Sequence, residues 1–375
     1  MIKQTLAELV RIDSVSARSN TEIVEYLERR CAAMNIVTKR FPYVDEHGVE
    51  KINLIALAGA DFSGIPHVEL ALVGHTDTVP YDPNWTEATN LTERDGKLFG
   101  RGSCDTKGFI AAALTAVETI DRTQLQKPLA LIFTADEEIG LIGAKELAQA
   151  RAINPRYSIV GEPTSLKPIR AGKGYSLAEV VVRGREAHSA YPALGASAIF
   201  RAARLMTRIE AIAETLKQAV HPAFDPAFTT LNIGLIRGGS AKNVLPGECR
   251  FTLEWRPIPT QPSSHVANLV KAAIAEEQRN DPEFECEFTV TRADFGFETA
   301  PDSPLISLLE QTTGIDSGTV AFGTEAAQMG ALGSESVVIG PGDIREAHRT
   351  GEFVPVAELE RCAEILKTAI TRLCG

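Results

Sequence analysis

Residues 70–80 read LALVGHTDTVP, an apolar run that ends in a histidine and an aspartate. The run from Val68 to Val73 has the length and composition of a buried strand. His75 and Asp77 follow it with one residue between them, and side chains at that spacing point to the same side of an extended chain. One of them can bind a metal ion while the other orients it. An HxD pair also occurs at ordinary polar strand ends, so this stretch alone leaves a metal site open.

Four more segments place acids or a histidine beyond an apolar run. They are GKLFGRGSCDTKGFIAAAL (96–114, with Asp105), LALIFTADEEIGLIGA (129–144, with Glu137 and Glu138), YSIVGEPTSLKPI (157–169, with Glu162) and VVIGPGDIREAHRTGEFV (337–354, with His348). Taken singly, Asp105 fits a helix N-cap, Glu162 a loop charge and His348 an ordinary surface or core histidine. The three consecutive acids 136–138 repel one another, so they cost stability unless a cation neutralises them.

Strand-like and helix-like runs alternate around these segments, which is typical of an α/β domain with a mostly parallel sheet. We predict strands at 53–57, 68–73, 129–133, 158–160 and 337–339, and helices at 108–120, 143–151 and 356–373. Residues 174–288 follow a different order, β-α-β-β-α-β, the ferredoxin-like arrangement. We therefore expect a discontinuous, metal-binding catalytic domain at 1–173 and 289–375, with an inserted dimerisation or lid domain at 174–288.

We expect the five acid- and histidine-bearing segments to converge at one edge of the predicted sheet, because side chains at the carboxyl ends of parallel strands meet there. Two histidines with several carboxylates suit zinc or a similar divalent ion. One shared acid can bridge two ions held about 3.5–4 Å apart. Together the segments predict a two-metal centre.

Composition excludes several other classes of protein. The 375 residues are 44% hydrophobic and 23% charged, as in an ordinary globular protein. The net charge of −11 argues against nucleic acid as a partner, because binding to phosphates requires a basic surface. The six cysteines form no CxxC pair, and no stretch approaches the roughly 20 apolar residues of a membrane span. We expect a cytoplasmic protein without a membrane partner.

The motifs GHTDTVP, GRGSCDTKG, TADEEIG, GEPT and GPGDIREAH, in this order and with an inserted domain, resemble the M20 metallopeptidase family. The resemblance covers essentially the whole chain. It implies two divalent metal ions, with zinc favoured and cobalt as the alternative. One ion would be held by His75, Asp105 and Glu162, and the other by Asp105, Glu138 and His348, with Asp105 as the bridge. Glu137 would be the general base, and Asp77 would support His75.

The same resemblance implies roles in the inserted domain and the loop that follows it. His188, in VVRGREAHSAYP (181–192), would hold the oxyanion in the active site of the partner subunit of a homodimer. Arg256, Asn243, Gly323 and Thr324 would bind substrate, and a guanidinium suits an α-carboxylate. Outside the family context, His188 is an ordinary loop histidine and Arg256 a surface charge at a strand end.

Glu325 directly follows the Gly323–Thr324 loop. A carboxylate there favours a cationic side chain such as that of ornithine, and would repel the second carboxylate of a succinylated substrate. The alternative is a loop residue facing solvent. Two small departures from the family pattern, AAQMG at 326–330 and RTGEF at 349–353, bear on substrate identity and leave the metal site unchanged.

We therefore expect a metal-dependent amidohydrolase that removes the acyl group from an N-acyl amino acid, with N-acetylornithine, of arginine biosynthesis, as the leading substrate. A desuccinylase acting on N-succinyl-diaminopimelate, or a small-peptide hydrolase, would share every metal ligand and differ in pocket residues. A non-catalytic binding protein of the same fold is the alternative from another class. Glu137 argues against it, because a binding module has no need of an unligated base.

Overall fold

The computed structural model describes the whole chain, Met1 to Gly375. The α-helices are α1 Ile2–Arg11, α2 Thr21–Ala33, α3 Lys107–Thr119, α4 Ile142–Gln149, α5 Ala198–Leu216, α6 Ser264–Asn280, α7 Pro304–Thr313, α8 Ala326–Ala331 and α9 Val356–Cys374. The strands are β1 Val37–Val44, β2 Glu50–Ala58, β3 His67–His75, β4 Thr92–Arg94, β5 Lys97–Phe99, β6 Leu129–Thr134, β7 Asn154–Val160, β8 Ile169–Gly172, β9 Tyr175–Arg183, β10 Ala187–His188, β11 Thr230–Gly238, β12 Val244–Leu245, β13 Glu248–Arg256, β14 Glu285–Asp294, β15 Phe297–Glu298, β16 Gly318–Val320, β17 Glu335–Val338 and β18 Phe353–Pro355.

The chain divides into two compact units. Unit 1 comprises Met1–Arg170, Thr299–Gly318 and Thr324–Gly375, and unit 2 comprises Ala171–Glu298 and Thr319–Gly323. The end of unit 2 lies beyond the predicted boundary at 288 because β14 continues to Asp294 and β15 then pairs with residues 171–172. Residues 319–323 also belong to unit 2, although the segments before and after them belong to unit 1. The sequence does not predict this.

Unit 1 is built on a sheet in which six strands lie in the order β1, β2, β6, β3, β7, β17. The pairs β3–β6, β3–β7 and β7–β17 are parallel, while β1 and β2 form an antiparallel margin. Every residue of β6 is buried, as expected of a central strand covered on both faces. The predicted α/β fold with a mostly parallel sheet is therefore confirmed.

Helix α3 packs unusually close to the carboxyl end of β7. It is rich in alanine, and its apolar residues are buried in the core of unit 1 together with residues of α1 and α9. A Cβ added at Gly161, directly after β7, would lie 2.2 Å from the side chain of Phe109 on α3. Only glycine allows this approach, which brings the start of α3 close to the carboxyl end of β7.

Unit 2 contains β9, α5, β11, β13, α6 and β14 in chain order, a β-α-β-β-α-β sequence of elements. The four strands form an antiparallel sheet in the order β11, β13, β9, β14, and α5 and α6 share its apolar core. Helix α5 begins after Ser197, whose hydroxyl accepts a hydrogen bond from the backbone nitrogen of Phe200 at 3.3 Å. Strand β11 lies at one edge of the sheet.

Of the elements that the sequence analysis does not predict, helices α2 and α7 contribute buried residues to the core of unit 1, whereas several strands are exposed or short. Strand β1 alternates between exposed and half-buried residues, so it lacks the apolar run of a central strand. Strands β4, β5 and β18 form a separate small sheet, and each of them is three residues long. None of the helices combines the length and the apolar character needed to cross a lipid bilayer.

Candidate active site

The site lies where the parallel strands of unit 1 end. His75 is the last residue of β3, and Glu162 comes two residues after the end of β7. Glu137 and Glu138 follow β6 within a turn that leads to α4. Because β3, β6 and β7 run parallel, all four side chains start from the same edge of the sheet.

Two groups of side chains there could each hold a metal ion. Group 1 consists of His75, Asp105 and Glu162, and group 2 of Asp105, Glu138 and His348. Within each group the potential ligand atoms all lie within 4.8 Å of one another. The structure thus brings together all five residues that the sequence analysis singles out as metal ligands.

Asp105 is shared by the two groups. Its Oδ1 lies 3.0 Å from Nε2 of His75, and its Oδ2 lies 3.1 Å from Nε2 of His348. On the other side of group 2, Nε2 of His348 is 3.0 Å from Oε2 of Glu138. Asp105 comes before the N-cap residue of α3, which is Thr106, so the helix-cap interpretation of Asp105 is wrong. One carboxylate oxygen faces each group, as a bridging ligand requires.

The charges at this edge also fit two divalent ions. Burial raises the pKa of Glu162 well above its usual value, and the nearby Asp105 raises it further. Burial opposes ionisation of Asp105 too, but hydrogen bonds with His348 and His75 hold its pKa below the usual range. Several buried carboxylates thus lie together with few positively charged groups to neutralise them. Histidine nitrogens and carboxylate oxygens are the donors that zinc and similar ions prefer, so the residues present fit such ions.

Asp77 supports this centre differently from the prediction. The closest contact of its carboxylate to Nδ1 of His75 is 3.6 Å, whereas its backbone carbonyl oxygen lies 3.0 Å from that nitrogen. When Nδ1 donates to this carbonyl, Nε2 remains available as a ligand atom. The carboxylate of Asp77 instead accepts hydrogen bonds from the hydroxyl of Ser16 at 2.7 Å and from the backbone nitrogens of Glu137 and Glu138 at 3.1 and 3.2 Å.

Glu137 differs from its neighbour Glu138 because its carboxylate belongs to neither group of ligands. Burial raises the pKa of Glu137 well above its usual value, and the carboxylate of Glu138 adds to this, although His75 opposes it. The preceding residue, Asp136, has a left-handed φ of 55° and is held by Lys51 at 2.9 Å and by the hydroxyl of Tyr43 at 2.8 Å. An unligated carboxylate with a raised pKa, on a firmly held turn, is suited to proton transfer.

In unit 2, His188 lies in β10, which pairs with β12, so its placement in a loop is corrected. The backbone nitrogen of Ala190 donates to Nδ1 of His188 at 3.1 Å. In a neutral imidazole this leaves the hydrogen on Nε2, where it can be donated outward. Asn243 lies next to His188. The backbone carbonyl oxygen of Asn243 accepts a hydrogen bond from the backbone nitrogen of Ser189, the residue after His188, at 3.0 Å.

Arg256 ends β13 and is already engaged within unit 2. Its Nε donates to Glu254 at 2.8 Å, one terminal nitrogen donates to the carbonyl of Ala321 at 3.4 Å, and the guanidinium lies 4.5 Å from the ring centre of Tyr175. Arg292 stacks on the same ring at 4.7 Å. Gly323 belongs to unit 2 as well. The guanidinium of Arg256 is therefore held in place by neighbours rather than projecting as a mobile surface charge.

Thr324 and Glu325 belong to unit 1, directly before α8. Both are 1% exposed, so the alternative of a solvent-facing Glu325 is wrong. Burial raises the pKa of Glu325 to about 7, although the nearby hydroxyl of Thr134 opposes the rise; Oε1 of Glu325 makes no hydrogen bond of good geometry. A buried carboxylate oxygen without a partner costs free energy unless a ligand satisfies it.

Two further residues, which no motif in the sequence marks, hold Asp77 and the ligand Asp105 in the structure. Ser16 holds the carboxylate of Asp77, and Glu352 accepts hydrogen bonds from the backbone of Cys104 and Asp105. Ser16 stands in a polar stretch that resembles any loop, and no pattern in the sequence distinguishes it. Glu352 carries a weak signal, since it lies in the RTGEF segment four residues after His348.

Comparisons with known proteins agree with this architecture. The model of "Peptidase family M20/M25/M40" matches residues 71–372. The chain is 51% identical to an acetylornithine deacetylase of Myxococcus xanthus over 100% of this chain and 98% of that protein. It is 34% identical to an acetylornithine deacetylase of Yersinia pseudotuberculosis, over 96% of this chain and 93% of the relative.

Solved structures share the fold across nearly the whole chain. Aminopeptidase PepT from Bacillus cereus superposes with a TM-score of 0.79 at 21% identity, covering 99% of this chain and 98% of the other. The YXEP protein of Bacillus subtilis, described as a dinuclear metal binding peptidase from M20 family, superposes with a TM-score of 0.68 at 14% identity, covering 99% and 97%.

Proposed function

Since this chain belongs to peptidase family M20/M25/M40 and is a hydrolase that acts on amide bonds, we propose that it is a two-metal deacetylase that converts N-acetylornithine to ornithine and acetate. The observation that carries the chemistry is the pair of ligand groups sharing Asp105, with the unligated Glu137 beside them. The substrate is suggested by the relatives named acetylornithine deacetylase at 51% and 34% identity. Ornithine released in this way would serve arginine biosynthesis.

The proposed metal ligands are the two groups: His75, Asp105 and Glu162 for one ion, and Asp105, Glu138 and His348 for the other. We propose zinc in both, with cobalt as the alternative. When bound, the ions supply Lewis acidity, which favours ionisation of water near neutral pH and stabilises negative charge on the acyl oxygen.

Glu137 is proposed as the general base and acid. Its carboxylate takes a proton from the attacking water as the new C–O bond forms, and then delivers that proton to the amine nitrogen as the C–N bond breaks. The place of Glu137 in the turn is set by the hydrogen bond from its backbone nitrogen to Asp77.

His188 is proposed to donate Nε2–H to the oxyanion of the partner subunit in a homodimer. Strand β11 supports a dimer, because it is an edge strand that exposes 65% of Leu235 and 56% of Ile236. An exposed apolar edge is a template for pairing with a second copy. Phe200, on α5 of the same unit, is a further exposed apolar side chain, at 70%.

Light scattering of wild type and of a Leu235→Lys, Ile236→Lys variant tests the proposed dimer. The dimer should dissociate in the variant.

Substrate recognition is proposed to involve Arg256, Asn243, Gly323, Thr324 and Glu325. Arg256 and Asn243 would bind the α-carboxylate, the Gly323–Thr324 loop would line the pocket, and Glu325 would face the cationic end of ornithine. The unpartnered Oε1 of Glu325 supports its part in this scheme. All six cysteines are free thiols, which fits a reducing compartment, and we place the reaction in the cytoplasm.

The deciding experiment is a hydrolysis panel with added zinc or cobalt. It comprises N-acetylornithine, N-acetylmethionine, N-succinyl-diaminopimelate and a dipeptide. We expect the highest kcat/KM for N-acetylornithine, and loss of all turnover after chelation. Preference for the succinylated substrate or for the dipeptide would replace the proposed substrate while leaving the hydrolase assignment intact.

A further inference from the structure

His348 stands on a loop, residues 343–352, that lies outside the strands of the central sheet. The imidazole is 51% exposed, unlike the buried side chains of His75 and Glu162. Its backbone has a left-handed φ of 59°, which is unfavourable for a residue with a side chain. Such a conformation persists when the surroundings hold it in place. What holds the 343–352 loop therefore decides whether group 2 exists as a metal site.

Both ends of the loop are attached to the residues at Asp105. At one end, the thiol of Cys104 lies 3.5 Å from the carbonyl oxygen of Asp343 and donates to it. At the other end, Oε1 of Glu352 accepts hydrogen bonds from the backbone nitrogens of Cys104 at 2.9 Å and Asp105 at 3.0 Å. The loop that carries one ligand of group 2 is thus fastened to the segment that carries another.

The second oxygen of Glu352 is equally fixed. Oε2 accepts a hydrogen bond from Arg101 at 2.6 Å, and the two side chains are only 1% and 5% exposed. Arg101 in turn donates to the carbonyl of Pro80 at 3.3 Å and lies 5.4 Å from the ring of Trp85. A charge-assisted bond between buried groups holds the carboxylate in one orientation.

The two groups of ligands depend on this attachment to different degrees. His75 and Glu162 of group 1 come from the ends of β3 and β7, which are paired to each other inside the core sheet. In group 2, by contrast, His348 is carried by the 343–352 loop and by no strand of that sheet. We propose that Glu352 is a positioning residue that sets group 2 by fastening the 343–352 loop to Cys104 and Asp105. This inference rests on the proposed two-ion site.

The test measures metal binding rather than turnover. The full-length protein, stripped with a chelator, is titrated with Co²⁺ and followed by calorimetry and by visible absorbance. We expect two ions to bind wild type, and Glu352→Gln to lose about 10–100-fold in affinity for one of them, as when a partner of a metal ligand is removed. His348→Ala removes a ligand of group 2 directly, so its absorbance change identifies which ion Glu352→Gln has weakened.

Two further variants separate positioning from general damage. Glu118→Gln removes a partly buried ion pair with Arg30 near the C-terminal end of α3, the end of the helix opposite Asp105, and both ions should bind as in wild type. Glu352→Asp keeps the negative charge beside Arg101, but its side chain is one methylene too short to reach both backbone nitrogens. It should therefore lower the affinity for the same ion, and it serves as the test if Glu352→Gln folds poorly.

Four results would be decisive against parts of this scheme. Unchanged affinity for both ions in both Glu352 variants, or equal weakening of both ions, would overturn the role of Glu352. Failure of both variants to fold would overturn it as well, because Glu352 would then be a general structural residue. Binding of fewer than two ions by wild type would instead contradict the proposed two-metal function.

Discussion

Oδ1 of Asp77 lies 3.1 Å from the backbone nitrogen of Glu137, which donates a hydrogen bond to it. The other carboxylate oxygen accepts hydrogen bonds from the backbone nitrogen of Glu138 and from the hydroxyl of Ser16. Asp77 therefore fixes the turn that presents both glutamates, while its carbonyl oxygen orients His75. One residue links the β3 end of the site to the β6 end.

Asp77→Asn should weaken this link without removing a metal ligand. An amide retains one acceptor oxygen, so at least one backbone N–H will face an NH₂ group and lose its partner. We expect the free energy of unfolding of the metal-free protein to fall by about 1–3 kcal/mol, measured by urea denaturation. Ser16→Ala, which removes a single donor, should cost about 1 kcal/mol. Equal stability of Asp77→Asn and wild type would show that the carboxylate is not needed to hold the turn.

Glu137→Gln should abolish proton transfer and leave both ligand groups intact. We expect kcat to fall by at least about 10²-fold, with metal content by mass spectrometry close to that of wild type. Glu138→Gln is the matched control, since it changes the adjacent acid but should release the ion of group 2. Wild-type turnover in Glu137→Gln would end its assignment as the base.

His188→Ala should lower kcat more than it raises KM, because the proposed hydrogen bond forms with the oxyanion of the transition state. The variant is then mixed with Glu137→Gln under conditions that allow subunits to exchange. If His188 acts in the partner's site, hybrid dimers contain one intact site and regain part of the activity. Absence of recovery after demonstrated exchange would place His188 in its own subunit's site or outside the reaction.

Glu325→Gln should change specificity. Removing the charge should reduce kcat/KM for N-acetylornithine by about 1–3 kcal/mol in transition-state stabilisation, as for a charged hydrogen bond. N-acetylmethionine, with a neutral side chain, is the control substrate and should be spared. Equal losses on both substrates would indicate damage to the metal centre, and no loss on either would remove Glu325 from substrate recognition.

Gly161→Ala should destabilise unit 1, since the new Cβ would lie 2.2 Å from the side chain of Phe109. We expect a loss of about 1–3 kcal/mol in the free energy of unfolding, typical of overpacking. Gly330→Ala is the control: it lies in α8 with no atom within 4 Å of the added Cβ, and alanine favours a helix. Equal stabilities for the two variants would show that α3 can move away from β7 at little cost.

The sequence by itself determined the parallel sheet and the family. Strand β6 and the Leu70–Val73 part of β3 are continuous apolar runs because both faces are buried, and that pattern is visible without coordinates. Residues at the ends of such strands must share an edge, so grouping His75 with Glu162 and the acids after β6 required only the order of the elements. The ligand types then followed from the preferences of divalent ions.

Only the tertiary structure decided how those residues are held. The contact of Glu352 with Asp105 joins positions 247 residues apart, and that of Ser16 with Asp77 joins positions 61 apart, so no local pattern encodes either. The same is true of Glu325, whose burial depends on how its loop packs within unit 1 rather than on its polar neighbours in sequence. Ligand identity is a property of residue type, whereas orientation depends on hydrogen bonds and packing that exist only once distant segments of the chain have met.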